Sequence, residues 1–314
     1  MKAKKDKWTG ESPYERFFDF IAPRAERLQI LLEHAKTLKL NAFVANIAGN
    51  KHFFIFPSGQ NLASEIARNP ASMPFKGQSP VMLVAHYDRV KDSPGANDNS
   101  IAVFQLLKAG TILDARGADN WIIVFTDKEE LASGEGIFSQ GSFTLSQKLR
   151  LWGLENCKIY IFDACGIGET LIISSTTDYI LTNRNSDMHK TKQLIRSLRN
   201  RALMVAQSLN LKKILLAPVP FSDDVGFLTG GLAAQTITTL PALEADLYEA
   251  FLRNNPGFTD TLIAGSAKNS VERRSIPQTW RSLNSAADCP SKLTPQYFDQ
   301  VVNLAVELAL TPGA

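Results

Sequence analysis

Residues 81–136 contain VMLVAHYDRV (81–90), KDSPGANDNSIAVFQLL (91–107) and WIIVFTDKEELASGEG (121–136). Two apolar runs, 81–85 and 121–126, each stop abruptly at groups able to bind a metal or move a proton. These are His86 and Asp88 after the first run, and Asp127, Glu129 and Glu130 after the second. Between them, Pro94-Gly95-Ala96-Asn97-Asp98-Asn99 reads as a turn, and residues 100–113 follow with helical spacing. Strand, helix, strand at this spacing is a βαβ unit, whose crossover is right-handed. A third run, KIYIF, ends in the same way at Asp163. Ligands of an open, mostly parallel α/β sheet sit beyond the carboxyl ends of its strands, so these groups are expected to converge on one metal site.

Outward from this centre, residues 13–40 place Phe17, Phe18, Ile21, Leu28, Leu31, Leu32 and Leu38 at helical spacing and predict one or two amphipathic helices. Residues 41–57 alternate about Gly49-Asn50, which predicts a hairpin at the sheet edge. Residues 61–78 are expected to be a loop. Downstream, the patterns predict helices over 142–151, 187–209, 241–254 and 295–310. Extended segments are expected at LIISS (171–175), KILLAPV (213–219) and AAQTITTL (233–240), with a turn at Phe221-Ser222-Asp223-Asp224 leading into a short helix. Residues 256–284 read as a long polar loop, suited to a lid or substrate wall. His34 and His52 read as ordinary helix and strand residues.

With 314 residues and 44% hydrophobic content, the chain can bury a large core. We expect one domain over 14–314, preceded by a disordered basic tail, 1–13, that contains KAKKDK. A net charge of +3, spread along the chain, offers no phosphate-tracking surface, so no nucleic-acid partner is expected. No apolar stretch reaches the roughly 18 residues that span a bilayer, and residues 1–13 have no apolar core for a secretory signal. The expectation is a cytoplasmic protein without a membrane partner. Cys157, Cys165 and Cys289 are odd in number and irregular in spacing, which fits reduced thiols. Cys165, two residues past Asp163, reads as an inert buried thiol.

Zinc takes nitrogen and oxygen ligands, and two zinc ions about 3.5–4 Å apart can share a bridging carboxylate. Asp98, on a tight turn at a helix start, suits such a bridge, and equally suits a helix cap. His86 and Asp88 are two apart on an extended segment, so both face one side and the carboxylate can orient the ring. Adjacent Glu129 and Glu130 repel each other, which suggests divided tasks: one binds metal while the other accepts a proton from metal-bound water.

HYD, PGANDN, DKEE, IFDACG and PFSDDVGF resemble, in order and approximate spacing, motifs of the zinc-dependent aminopeptidases related to bacterial leucyl aminopeptidase, aminopeptidase Y and the glutaminyl cyclases. The resemblance covers about residues 79–310. It implies a three-layer α/β/α sandwich with a mixed, largely parallel central sheet, and a peptide substrate with a free N-terminus. It also implies that His86, Asp98 and Asp163 hold one zinc, that Asp98 and Glu130 share a second, that Glu129 is the general base and that Asp88 supports His86.

Two positions depart from that pattern. Asn284 stands where the family places a late histidine ligand, and Asp224 where a histidine is common. An amide oxygen suits calcium, magnesium or manganese better than zinc, so the site of Glu130 and Asn284 is expected to hold zinc weakly, to stay empty or to take another divalent ion. The first reading is therefore a metal-dependent aminopeptidase-like hydrolase. The alternatives are a catalytically impaired relative that binds a peptide or protein, and single-metal acyl chemistry of the glutaminyl-cyclase kind.

Overall fold

The computed structural model describes residues 12–60, 79–183, 189–263 and 270–311. Its strands are β1 (Asn41–Ile47), β2 (Asn50–Phe56), β3 (Val81–His86), β4 (Trp121–Thr126), β5 (Lys158–Phe162), β6 (Thr170–Ser174), β7 (Ile214–Ala217) and β8 (Ala234–Leu240). They form one sheet in the order β1-β2-β4-β3-β5-β8-β6-β7. Strands β4, β3, β5 and β8 run parallel, whereas β2 opposes β4 and β6 opposes β8, so the sheet is mixed with a parallel centre.

β3 and β4 are buried at every position, which is why their sequences are continuous apolar runs and not alternating ones. Alternate side chains still divide between the two faces. Val81, Leu83 and Ala85 pack with Leu31, Phe104, Ala202 and Leu304, from the helices Arg27–Thr37, Ile101–Ala115, His189–Ser208 and Phe298–Leu310. Met82 and Val84 pack on the other face with Leu145 and Leu149 of the Gly141–Leu151 helix and with Phe227 of the Asp223–Thr229 helix. Further along that face, Leu240 meets Ala245 and Tyr248 of the Ala242–Asn254 helix. The result is a three-layer α/β/α sandwich.

Register places the functional ends together. His86 is opposite Thr126, and Val84 is opposite Ile161, so β3, β4 and β5 finish at one rim. The helix joining β3 to β4 covers one face, and the helix joining β4 to β5 covers the other. β4 and β5 flank β3 on opposite sides, so the connections diverge at β3 and leave a crevice at its carboxyl end.

The hairpin, the βαβ unit and the later helices stand close to their expected positions. Residues 256–284 differ, because among the described residues they hold the short helices Phe258–Ile263, Ser270–Ser275 and Gln278–Arg281. Phe258, Leu262 and Trp280 are buried with Tyr248, and these anchors are too sparse to produce a periodic signal. The helix Thr176–Asn183 was likewise not visible in the pattern. The loop expected at 61–78 lies outside the described residues, as does the basic tail up to residue 11. Ser12–Tyr14 form a 3-10 turn with Tyr14 buried.

Candidate metal and active site

His86 is the last residue of β3 and is only 1% exposed. Its Nε2 lies 3.0 Å from Asp98 Oδ1 and 3.8 Å from Asp163 Oδ1, while Nδ1 lies 3.3 Å from Asp88 Oδ1. One ring nitrogen therefore faces two carboxylates from other segments, one in the turn before a helix and one just after β5, and the opposite nitrogen is held by the carboxylate two residues along the chain. The three donor atoms of His86, Asp98 and Asp163 all lie within 4.8 Å of one another, and so do those of His86, Glu129 and Glu130.

The turn before the Ile101–Ala115 helix aims Asp98. Gly95 adopts a left-handed conformation (φ 60°), where a Cβ would meet the Asp98 carbonyl oxygen at 2.7 Å. The Asp98–Asn99 peptide is cis. The Asp98 carboxylate turns toward His86, and the helix start carries no side-chain cap, so of the two tasks open to Asp98 the side chain takes the one in the cluster. Asp288 grips the turn from outside: its two carboxylate oxygens accept the N–H groups of Asn97 (2.8 Å) and Asp98 (3.0 Å).

Asp88 does more than orient the ring. Its oxygens also accept the backbone N–H groups of Glu129 (3.2 Å) and Glu130 (3.0 Å), which ties the end of β3 to the turn after β4. The Glu129 carboxylate receives the side-chain amide of Gln140 at 3.2 Å. Glu130 Oε1 and Asp163 Oδ1 are buried without a hydrogen-bond donor. Asp127 belongs to neither group, because its Oδ2 accepts the Lys51 N–H of the hairpin.

The electrostatics follow from packing several carboxylates against one imidazole. Burial opposes a charge on His86, but the carboxylates of Asp163, Asp88 and Asp98 outweigh it and hold the ring well above its ordinary pKa. Burial raises Glu129 well above the carboxylate range, and burial with neighbouring Asp98 pushes Glu130 up to about 8. Asp98 is raised by burial and by Asp163. Asp88 is held low: burial works against it, but His86 and the two N–H groups prevail. Buried carboxylate oxygens without donors, clustered beside an imidazole, make a donor set that a divalent cation would neutralise. The residues present fit a metal.

Asn284 borders the same cavity of about 340 Å³ as Asp98, Glu129, Glu130 and Asp163. It is exposed and left-handed (φ 58°), a conformation that asparagine tolerates better than most residues, so its backbone offers one local reason for an amide there. Asp224 is buried and carries an unpartnered Oδ2, with burial pushing it up to about 7. Its neighbour Asp223 accepts the Thr126 hydroxyl at 2.6 Å. Leu131, Ile137, Phe221, Trp280 and Leu283 add apolar lining to the same cavity. A larger cavity, about 990 Å³, lies at the opposite rim near Ser79, Lys158 and Ala233, away from these groups.

Some supporting residues gave no signal in the sequence. Arg27, within an amphipathic helix pattern, is buried and donates to the carbonyls of Tyr87 (2.9 Å), Asp88 (3.1 Å) and Pro94 (3.1 Å) and to Ser100 Oγ (2.9 Å). Burial, with Arg89 nearby, lowers its pKa to about 9. Gln140 and Asp288 carry no pattern of their own in the chain. His34 contacts the Pro13 carbonyl (2.9 Å), His52 is buried on β2 and His189 is exposed, and none joins the cluster. Buried Cys165 donates to the Ile237 carbonyl (3.2 Å), and burial pushes its thiol up, as suits an inert group.

Fold and cluster together give an α/β protein whose carboxylate-imidazole cluster fits a divalent cation. The model of Peptidase family M28 matches residues 66–248, more than half of the chain. The chain belongs to peptidase family M28. No curated protein sequence matches it.

Among solved structures, it is similar to the zinc aminopeptidase BSAP from Bacillus subtilis at 15% identity and TM-score 0.53, covering 82% of this chain and 49% of that one. It thus spans about half the length of that enzyme. The glutaminyl cyclase of Porphyromonas gingivalis is similar at 13% identity and TM-score 0.59, covering 94% of each chain. A Zn-dependent exopeptidase from Parabacteroides distasonis is similar at 11% identity and TM-score 0.58, covering 96% of this chain and 97% of that one. At these identities the likeness shows the fold. Among the described residues, no helix is long and apolar enough to cross a membrane.

Proposed function

We propose that this chain is a zinc-dependent hydrolase that removes N-terminal residues from peptides. The observation that carries the reading is the meeting of His86 Nε2 with Asp98 and Asp163, with Glu129 in the same cavity. His86, Asp98 and Asp163 would hold one zinc, and Asp98, Glu130 and Asn284 would offer a second, weaker position. Zinc bound there supplies Lewis-acid polarisation of a carbonyl and acidifies water.

The chain's own groups supply the rest. Glu129 accepts the proton of the attacking water and returns it to the leaving amine. Asp88 fixes the His86 ring through Nδ1 and, by holding the Glu129 and Glu130 N–H groups, sets the distance between base and ligands. The carboxylates lining the cavity suit a substrate ammonium group, and its apolar lining of Leu131, Ile137, Phe221 and Trp280 suits an apolar side chain. Three free cysteines suit a reducing compartment, so a cytoplasmic setting belongs to the same proposal.

The test is the E129Q variant assayed on aminoacyl substrates with zinc, manganese and cobalt, beside calorimetric zinc titration. Hydrolysis by the wild type, lost in E129Q with zinc stoichiometry unchanged, is expected. Equal rates would remove Glu129 from its role. A wild type inert with every metal would favour the peptide-binding reading.

The coverage of both chains in the match to the P. gingivalis glutaminyl cyclase favours one further reading, cyclisation of an N-terminal glutamine. It ranks lower because Asn284 replaces the late histidine of the resembled family. Ammonia release from a glutaminyl peptide would revive it.

A further inference from the structure

We infer that Gln140 is a positioning residue for the base, an inference that rests on the hydrolase reading of Glu129. Gln140 is 3% exposed, and its amide nitrogen lies 3.2 Å from Glu129 Oε1 and 3.5 Å from the Glu129 carbonyl oxygen. One N–H₂ group therefore spans the side chain and main chain of the same residue. This pins one carboxylate oxygen and leaves the other for a proton.

The amide is itself oriented. Ser142 Oγ donates to Gln140 Oε1 at 3.0 Å, and a flipped amide would turn its oxygen against the Glu129 carboxylate and carbonyl oxygens, acceptor against acceptor. The helix Asp223–Thr229, which opens within the PFSDDVGF segment, closes the space behind this pair. A Cβ on Gly226 would stand 2.1 Å from Ser142 Oγ and 2.4 Å from Gln140 Oε1, so the bare glycine lets the helix press directly on the couple. Gln140 begins the approach to the Gly141–Leu151 helix, whose own contacts fix where the amide sits.

The choice of an amide has a chemical reason. An N–H donor can serve Glu129 both as carboxylate and as acid, since either form keeps an oxygen able to accept. A lysine or arginine in its place would favour the charged base and resist the proton it must take. Gln140 thus holds the carboxyl plane through the whole proton cycle without adding a charge.

The experiment compares wild type with Q140M, which keeps length and apolar volume but loses the donor. The expected result is a kcat lower by about 10- to 100-fold, the range that small misplacements of a reacting group produce. KM within about two-fold and zinc stoichiometry unchanged should accompany it. A crystal structure of Q140M should show the Glu129 carboxyl rotated from its position in the wild type.

S142A, which frees the amide while keeping it, should lose activity to a smaller extent and serves if Q140M does not fold. An unchanged kcat in both variants, or a Glu129 carboxyl unmoved without its donor, overturns the inference. Should the wild type hydrolyse nothing, the hydrolase reading fails, while the crystallographic comparison still decides whether Gln140 positions Glu129.

Discussion

Removing the carboxylate of Asp288 should loosen the metal site without touching a proposed ligand. Asp288 is 2% exposed, and its oxygens accept the N–H groups of Asn97 at 2.8 Å and Asp98 at 3.0 Å. In D288A both donors remain buried with no acceptor, at about 1–3 kcal/mol each. Relief of the carboxylate's own burial, which pushes its pKa up to about 6, offsets part of that loss. The net expectation is a destabilisation of about 2–4 kcal/mol, within the range of a disrupted buried network.

The turn also aims Asp98 at His86, so zinc affinity should fall by about 10- to 100-fold, as for other groups that orient a ligand from behind. D288N should behave almost as badly, because its single carbonyl oxygen satisfies one N–H while its amide confronts the other. Urea unfolding of chelator-treated protein reads the first effect, and calorimetric zinc titration the second. A D288A protein with a stability within about 0.5 kcal/mol of wild type and undiminished zinc affinity would refute the reasoning.

Two further outcomes are expected. Burial lowers the His52 pKa from 6.5 to about 4, so between those values the unfolded chain binds a proton that the fold refuses; the contribution of this one group is complete above pH 6.5 and is lost as pH drops, by about 3 kcal/mol in all. H52Q, which keeps an acceptor for the Asp127 N–H, should flatten that slope in urea unfolding from pH 6.5 to 4, and an identical slope would assign it elsewhere. Gly168 sits at φ 90°, where a Cβ would lie 2.0 Å from backbone atoms of Leu240 and Pro241; G168A should lose about 3 kcal/mol or more, seen as a thermal midpoint lower by about 5 °C or more.

How much of the molecule was legible in the chain follows from which interactions are local. β3 and β4 announced themselves because a strand buried on both faces must be apolar throughout, and their acidic and imidazole ends then marked the rim of the sheet. His86 with Asp88 was readable because residues two apart on an extended segment share a side. Asp98, Glu129, Glu130 and Asp163 were readable as candidates for a different reason: each lies just past a strand or within a turn that has a recognisable pattern. The short helices within 256–284 were not, since three buried anchors spread over a polar stretch produce no period.

The sequence alone therefore determined the α/β class, the edge hairpin and the candidates for metal and base. Only the tertiary structure decided what holds them. Asp288 reaches back to Asn97 and Asp98, Arg27 binds carbonyls some sixty residues ahead of it, and Gln140 meets Glu129 under pressure from the Gly226 helix. It also brought Asn284 to the cavity in a left-handed backbone that suits its side chain. The physical reason is that periodicity and turn chemistry act over a few residues. A hydrogen bond between distant segments depends on where the packed sheet and helices bring them, and a single polar residue carries no mark of the partner it will find.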